Sequence, residues 1–114
     1  MFRYNQNKYR NIKVECDGHK FDSRKEADYY LWLKALQKLG NIKDLELQKE
    51  YILQDKFKLN NKTIRKITYV ADFTYYSYID KKVHVVDVKG FKTEVYKLKK
   101  KLFEYKYGIE IEEV

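Results

Sequence analysis

The apolar positions of this chain change period several times, and each change marks an element. Between Ser23 and Leu39, Tyr29, Trp32, Leu33, Leu36 and Leu39 recur at helical spacing. Ser23 followed by Glu26 spells a capping box and Gly40 supplies a stop, so a helix is predicted over 23–39. Lys34, Gln37 and Lys38 form its wet face. From Leu45 to Leu53 the period falls to two, with Leu45, Leu47, Tyr51 and Leu53 on one side of a first strand. Asn60-Asn61 marks a turn, and a long second strand is predicted over about 64–78. There Ile67, Tyr69, Ala71, Phe73 and Tyr75 share one face, and Val70, Asp72 and Thr74 the other.

Asp80-Lys81-Lys82 turns the chain into Val83-His84-Val85-Val86-Asp87-Val88-Lys89-Gly90. Its valines occupy both parities, as in a strand buried on both faces. Thr93 caps a second helix that runs to about Tyr107, Gly108 stops it, and Ile109-x-Ile111 makes a last short strand. Near the start, Val14–Cys16 and His19–Phe21 flank Asp17-Gly18, which suits a type I′ hairpin turn. Residues 1–13 carry no apolar period and are predicted to form a basic arm ahead of a single domain over 14–114. The resulting order of helix, three strands, helix and strand predicts an α/β protein. Its helical crossover permits, without requiring, a parallel last strand.

Composition narrows the setting. In 114 residues the net charge is +8 and the pI about 9.4, which points to a polyanionic partner, nucleic acid before membrane. A lysine-rich soluble protein with no such partner fits the same charge. The lone Cys16 excludes an internal disulfide and a thiolate metal cluster, and it reads as a small hydrophobe. No signal peptide opens the chain and no apolar run is long enough to cross a bilayer, so a cytoplasmic protein is expected.

Candidate chemistry centres on Asp87 and Lys89, which alternation places on one side of the central strand. The acid-x-Lys spelling alone carries nothing. With 17 acids and 21 lysines, chance gives about 3 such triplets, and Asp80–Lys82, Asp87–Lys89 and Glu104–Lys106 make that number. Only the middle one ends an apolar strand. If the second and third strands pair through the turn at Asp80, Asp72 and Asp87 become cross-strand neighbours. Two adjacent carboxylates repel and need a proton, a cation or both. A hard divalent ion meets that need, and an Asp–Lys ion pair with no catalytic purpose fits the spacing equally well. By spacing neither histidine has a partner, and His84 lies on the parity opposite to Asp87; both read as non-catalytic. Gln48, on the polar side of the first strand, reads as a plain surface amide, with contact to a water or phosphate as the alternative.

The succession of helix Glu26, strand Asp72, strand Asp87-Val88-Lys89 and a following helix resembles the PD-(D/E)xK nuclease superfamily, with its restriction-endonuclease-like fold. The chain is most similar to a small group of phage and prophage proteins. The shared motifs are Asn7-Lys8-Tyr9-Arg10, Phe21-Asp22-Ser23-x-x-Glu26, Ala71-Asp72-Phe73 and Asp87-Val88-Lys89-Gly90-Phe91. It bears a more distant likeness to the endonuclease subunit of heteromeric transposases and to archaeal-type Holliday-junction resolvases. Ala71 stands where the superfamily pattern has Pro, and Asp87 where Glu is commoner. The resemblance implies an αβββαβ core with a mixed central sheet flanked by two helices. It also implies a Mg²⁺ site, with Mn²⁺ as a substitute, held by Asp72, Asp87 and the Val88 carbonyl and completed by Glu26. Lys89 would orient or deprotonate the attacking water.

The expected activity is therefore metal-dependent DNA endonuclease, selective for branched or junction DNA in phage DNA processing. The alternative is a non-catalytic nucleic-acid-binding module on the same fold. Arg3, Lys8, Arg10 and Lys13 of the arm, with Lys92 and Lys99 of the second helix, are the expected phosphate contacts. Lys106, on the same helical line, is expected to snorkel instead. Paired cuts at a symmetric junction favour a homodimer. No small-molecule cofactor and no membrane partner are expected.

Overall fold

The computed structural model describes residues 3–6 and 12–114, with side chains from Lys13 onward. The chain divides into two compact units, Met1–Ile42 and Lys43–Val114. Sequence patterning had placed a boundary between 13 and 14 instead.

In the first unit, β1 (Arg3–Gln6), β2 (Ile12–Cys16) and β3 (His19–Phe21) form an antiparallel sheet in that order. The expectation of an unpaired arm over 1–13 is thus corrected for residues 3–6, where Arg3 lies opposite Glu15 and Gln6 opposite Ile12. An edge strand is held by main-chain hydrogen bonds and needs no apolar period, so polarity alone could not exclude it. The β2–β3 turn carries positive φ at both Asp17 and Gly18, the requirement of a type I′ turn.

Helix α1 (Arg24–Lys38) packs on β2 and β3. Ser23 Oγ accepts the Glu26 N–H at 3.1 Å and closes the N-terminus. At the other end Asn41 N–H reaches Leu36 O and Gly40 N–H reaches Gln37 O, the two bonds of a Schellman stop, with Gly40 at φ +84. The buried face is Glu26, Ala27, Tyr30 and Leu33, about one residue around from the predicted stripe. Trp32 and Leu39 are 52% and 76% exposed. Of the predicted stripe Leu33 is buried and Tyr29 and Leu36 are half-buried, while Ala27, Glu26 and Tyr30 complete the inward face.

The second unit is built on a four-stranded sheet, β4 (Ile42–Gln54), β7 (Ile67–Ser77), β8 (Lys82–Asp87) and β9 (Ile111–Glu113), in that order. Strand β7 is antiparallel to β8, and β9 runs parallel to β8 after the crossover through α2 (Glu94–Tyr107). The sheet is therefore mixed. Between β4 and β7 the chain forms a separate two-stranded ribbon, β5 (Phe57–Leu59) and β6 (Lys62–Ile64), which patterning had read as a turn and the start of the next strand. Asn60 and Asn61 both take positive φ at its tip.

Helix α2 lies against β7, and Tyr69, Ala71, Val85, Tyr96, Phe103 and Ile111 form the buried core between helix and sheet. Thr93 Oγ1 caps α2 by accepting Tyr96 N–H at 3.0 Å, and Gly108 ends it in the left-handed region. Tyr69 and Ala71 share this core with Val85, yet the cross-strand partner of Val85 is Thr74. The facing of β7 therefore shifts by one residue between Ala71 and Thr74, the offset that a bulge produces. That shift falls at Asp72. No helix of the described residues is long and apolar enough to cross a membrane.

Candidate active site

The last β7–β8 rung pairs Phe73 with Val86, so Asp72 and Asp87 stand just past the end of the ladder. Strand β8 ends here because its next main-chain bonds go to the other neighbour: Val114 N–H donates to Asp87 O and Lys89 N–H to Val114 O. Val88 N–H is thereby turned toward β7, where it donates to Asp72 Oδ2 at 2.8 Å. Gln48 of β4 donates its amide to Asp72 Oδ1 at 3.2 Å. The Asp72 carboxylate of β7 is thus held from both sides, by β4 and by the residue just past the end of β8.

Asp87 is 1% exposed. Its Oδ2 accepts the Tyr69 hydroxyl at 2.6 Å. Its Oδ1 lies 3.1 Å from Lys89 Nζ, but no hydrogen bond of proper geometry reaches that atom. The contact is an ion pair by distance without a directed bond, so one buried lone-pair region stays unused. The Lys89 ammonium also sits 4.5 Å from the centre of the Tyr96 ring, and Tyr96 donates to Glu113 at 2.8 Å. Tyr69, Val70, Asp87, Lys89, Tyr96 and Lys99 line a cleft of about 280 Å³.

The electrostatics follow from burial and crowding. Desolvation lifts the Asp72 carboxyl from 3.8 to about 6; the adjacent Asp87 charge adds to the rise, while the Val88 N–H and the Gln48 amide oppose it. Burial, then the bond to Asp87, pushes the Tyr69 hydroxyl far above its ordinary value. Tyr69 therefore acts only as a donor. Burial, then the bond to Glu113, does the same to Tyr96.

The predicted residues separate into those this cleft gathers and those it does not. Asp87 and Lys89 line it, and Asp72, though not itself part of the lining, lies close enough to feel the Asp87 charge and accepts the Val88 N–H. Lys99 lines the cleft. Lys92 is instead ion-paired with Glu113 at 3.2 Å, as is Lys100. Lys106 donates to Ile52 O at 2.8 Å, a more definite role than snorkelling. Lys13 is exposed and paired with Asp22 at 2.9 Å. Lys8 and Arg10 lie outside the described residues, and Arg3 is placed only by its backbone in β1. Glu26 is buried in the first unit, on α1. Among the described residues no group of three or more His, Cys, Asp or Glu side chains is arranged to hold a metal ion.

Two contributors were missed. Tyr69 looked like a core residue, and Gln48 a surface one. Neither has a local signal, because each acts across strands distant in sequence. His84 also has partners: Nε2 meets Asp80 at 2.7 Å, Nδ1 meets Glu112 at 2.5 Å, and its ring stacks on Tyr75. A larger cavity, about 510 Å³, opens beside it between Asp80, Gly108 and Glu112. Both imidazole nitrogens are already engaged there, so the unused lone pair of Asp87 marks the smaller cleft as the better candidate for chemistry.

The chain belongs to the family described as "Protein of unknown function (DUF1064)", whose model matches residues 6–112. No curated protein and no solved structure matches it significantly.

Proposed function

We propose that this DUF1064 chain is a divalent-metal-dependent nuclease of restriction-endonuclease-like fold, hydrolysing phosphodiester bonds of DNA at the cleft lined by Asp87 and Lys89, with Asp72 beside it. The observation that carries the reading is the buried Asp87 Oδ1, which accepts no hydrogen bond beside a second carboxylate whose proton affinity is raised. A buried carboxylate oxygen normally has directed partners. Here the lone pair is open next to another acid, and a hard cation relieves both defects. Asp72 and Asp87 fit Mg²⁺ by donor type and would hold it. When bound, such an ion supplies charge stabilisation and lowers the proton affinity of a coordinated water.

The chain's own groups do the rest. Tyr69 fixes Asp87 by donating to Oδ2, and Val88 N–H with Gln48 fixes Asp72. Lys89 is held at the cleft wall between Asp87 and the Tyr96 ring, where its ammonium orients a water and offsets charge growing on the phosphoryl oxygens. Without an ion the raised proton affinity of Asp72 records the crowding of two carboxylates, and a bound cation would favour its ionised form.

One observation favours the second reading, a nucleic-acid-binding module without catalysis: no three metal-ligating side chains gather among the described residues. Incubation with linear, supercoiled and four-way-junction DNA, in Mg²⁺, Mn²⁺ or chelator, separates the two. Wild type should cleave in either metal and not in chelator. Asp87→Asn and Lys89→Ala should each abolish cleavage while retaining the wild-type circular dichroism. Metal-dependent cleavage surviving in pure Asp87→Asn protein would overturn the catalytic assignment.

A further inference from the structure

Strands β5 and β6 form a ribbon in which every residue is exposed. Such a ribbon has no core of its own, and two isolated strands are marginal in water. Its composition is unusual for this chain. Residues 55–66 hold Lys56, Lys58, Lys62, Arg65 and Lys66 against the single Asp55, half of the net charge of +8 in about a tenth of the length. Lys66 is engaged by Glu50 at 2.9 Å. The side chains of Lys56, Lys58, Lys62 and Arg65 are exposed and make no ion pair or hydrogen bond among the described residues.

The register divides the ribbon into two faces. Phe57 lies opposite Ile64 and Leu59 opposite Lys62, so these four share one side, while Lys58 and Thr63 share the other. Cations therefore occur on both faces, and Lys62 interrupts the apolar side. Lys56 and Arg65 flank the base, and the tip is Asn60-Asn61.

We propose that this ribbon is a duplex-DNA-binding wing that lies in the major groove, with Lys56, Lys58, Lys62 and Arg65 meeting phosphates and Phe57 and Leu59 contacting base edges. The inference rests on the DNA reading of the Asp72–Asp87 pair and extends it to how the duplex is held. Charge complementarity argues for a polyanion. Groove dimensions argue for B-form DNA: its major groove, about 12 Å wide, admits a two-stranded ribbon, whereas the A-form RNA major groove is too narrow. A membrane surface suits the ribbon less well, because insertion needs an apolar face free of charge and Lys62 sits on this one. The position along the chain fits as well. Strand β7 leaves the ribbon at Ile67 and passes Thr68, Tyr69 and Val70 of the cleft wall before Asp72. Five residues of extended strand span about 17 Å, the rise of roughly five base pairs.

The test measures binding in chelator, without hydrolysis, by anisotropy of a labelled duplex across a salt series. The quadruple variant Lys56→Gln, Lys58→Gln, Lys62→Gln, Arg65→Gln removes only exposed, unpaired charges, and an unchanged thermal melt confirms its fold. Its slope of log affinity against log salt should be shallower by about 3 to 4, at about 0.9 per phosphate contact. Phe57→Ser with Leu59→Ser should weaken duplex binding tenfold or more and leave the slope as in wild type. An unchanged slope in the quadruple variant overturns the proposal. So does ribbon-dependent binding that is tighter to double-stranded RNA or to phosphatidylserine vesicles than to duplex DNA. Because no cleavage is read, failure here is distinct from failure of the nuclease reading, which the Asp87→Asn cleavage assay decides.

Discussion

Replacing Asp72 by Asn should stabilise the metal-free protein above about pH 6 and leave it unchanged well below pH 4. The Asp72 carboxyl is raised from 3.8 to about 6 in the folded chain, so the folded state binds its proton more tightly than the unfolded state does. Stability contributed by that proton is fully present below the unfolded value. It is lost as pH rises through the folded one. The rise from 3.8 to about 6 corresponds to about 3 kcal/mol. Asp72 keeps some exposure and shares its repulsion with Asp87, so about 2 kcal/mol is the working figure.

Asn removes the charge at every pH and preserves the local bonds. Its Oδ1 takes the Val88 N–H that Asp72 Oδ2 accepts at 2.8 Å. Its Nδ2 donates to Gln48 once that amide turns over, replacing the 3.2 Å bond. Urea unfolding in chelator from about pH 4 to pH 8 reads the outcome. The variant-minus-wild-type stability should climb from near zero to about +2 kcal/mol, most of it between the two pKa values. A difference that stays flat with pH, or a variant less stable than wild type at pH 8, refutes the assignment of a crowded, proton-hungry Asp72. Adding Mg²⁺ at pH 8 should reverse the order. An ion that binds only the folded wild type stabilises it in proportion to the logarithm of its concentration over Kd.

Two further substitutions probe the same network. Tyr69→Phe removes the hydroxyl bound to Asp87 Oδ2 at 2.6 Å and leaves both oxygens of a buried carboxylate without a directed bond. It should cost about 1–3 kcal/mol in chemical denaturation, and unchanged stability would mean that water replaces the hydroxyl. Gln48→Ala removes a donor that lowers the Asp72 proton affinity, so the midpoint of the pH–stability curve should move upward from about 6. A downward move would show that desolvation is not the dominant influence there.

Elements with strong local signals were legible in the sequence. Both helices start at the hydroxyl residues that patterning named, Ser23 and Thr93, and both stop at glycines because the left-handed region suits them. The Asp17-Gly18 hairpin and the β7–β8 pairing follow from turn chemistry for the same reason. Strand β1 and the β5–β6 ribbon were not legible. Each is held by main-chain bonds between polar, exposed residues, and hydrophobic period is blind to such bonds. Of the inward face of α1, patterning named Leu33 and missed Ala27 and Tyr30.

The candidate site divides along the same line, and Gln48 shows why. Alternation put this residue on the polar side of its strand, yet it reaches Asp72 because its own backbone is left-handed at φ +54. For a residue with a Cβ that conformation costs about 1–2 kcal/mol, and a sequence announces it only where Gly or Asn stands. On the facing strand the alternation of β7 slips by one at Asp72 itself. A left-handed residue on β4 and a register shift on β7 thus meet at one carboxylate, while Asp87 and Lys89 sit on a regular strand and its end. Regular backbone carried the half of the site that spacing could find. The half it could not find depends on a left-handed residue at Gln48 and on the offset in facing along β7, neither of which residue spacing displays.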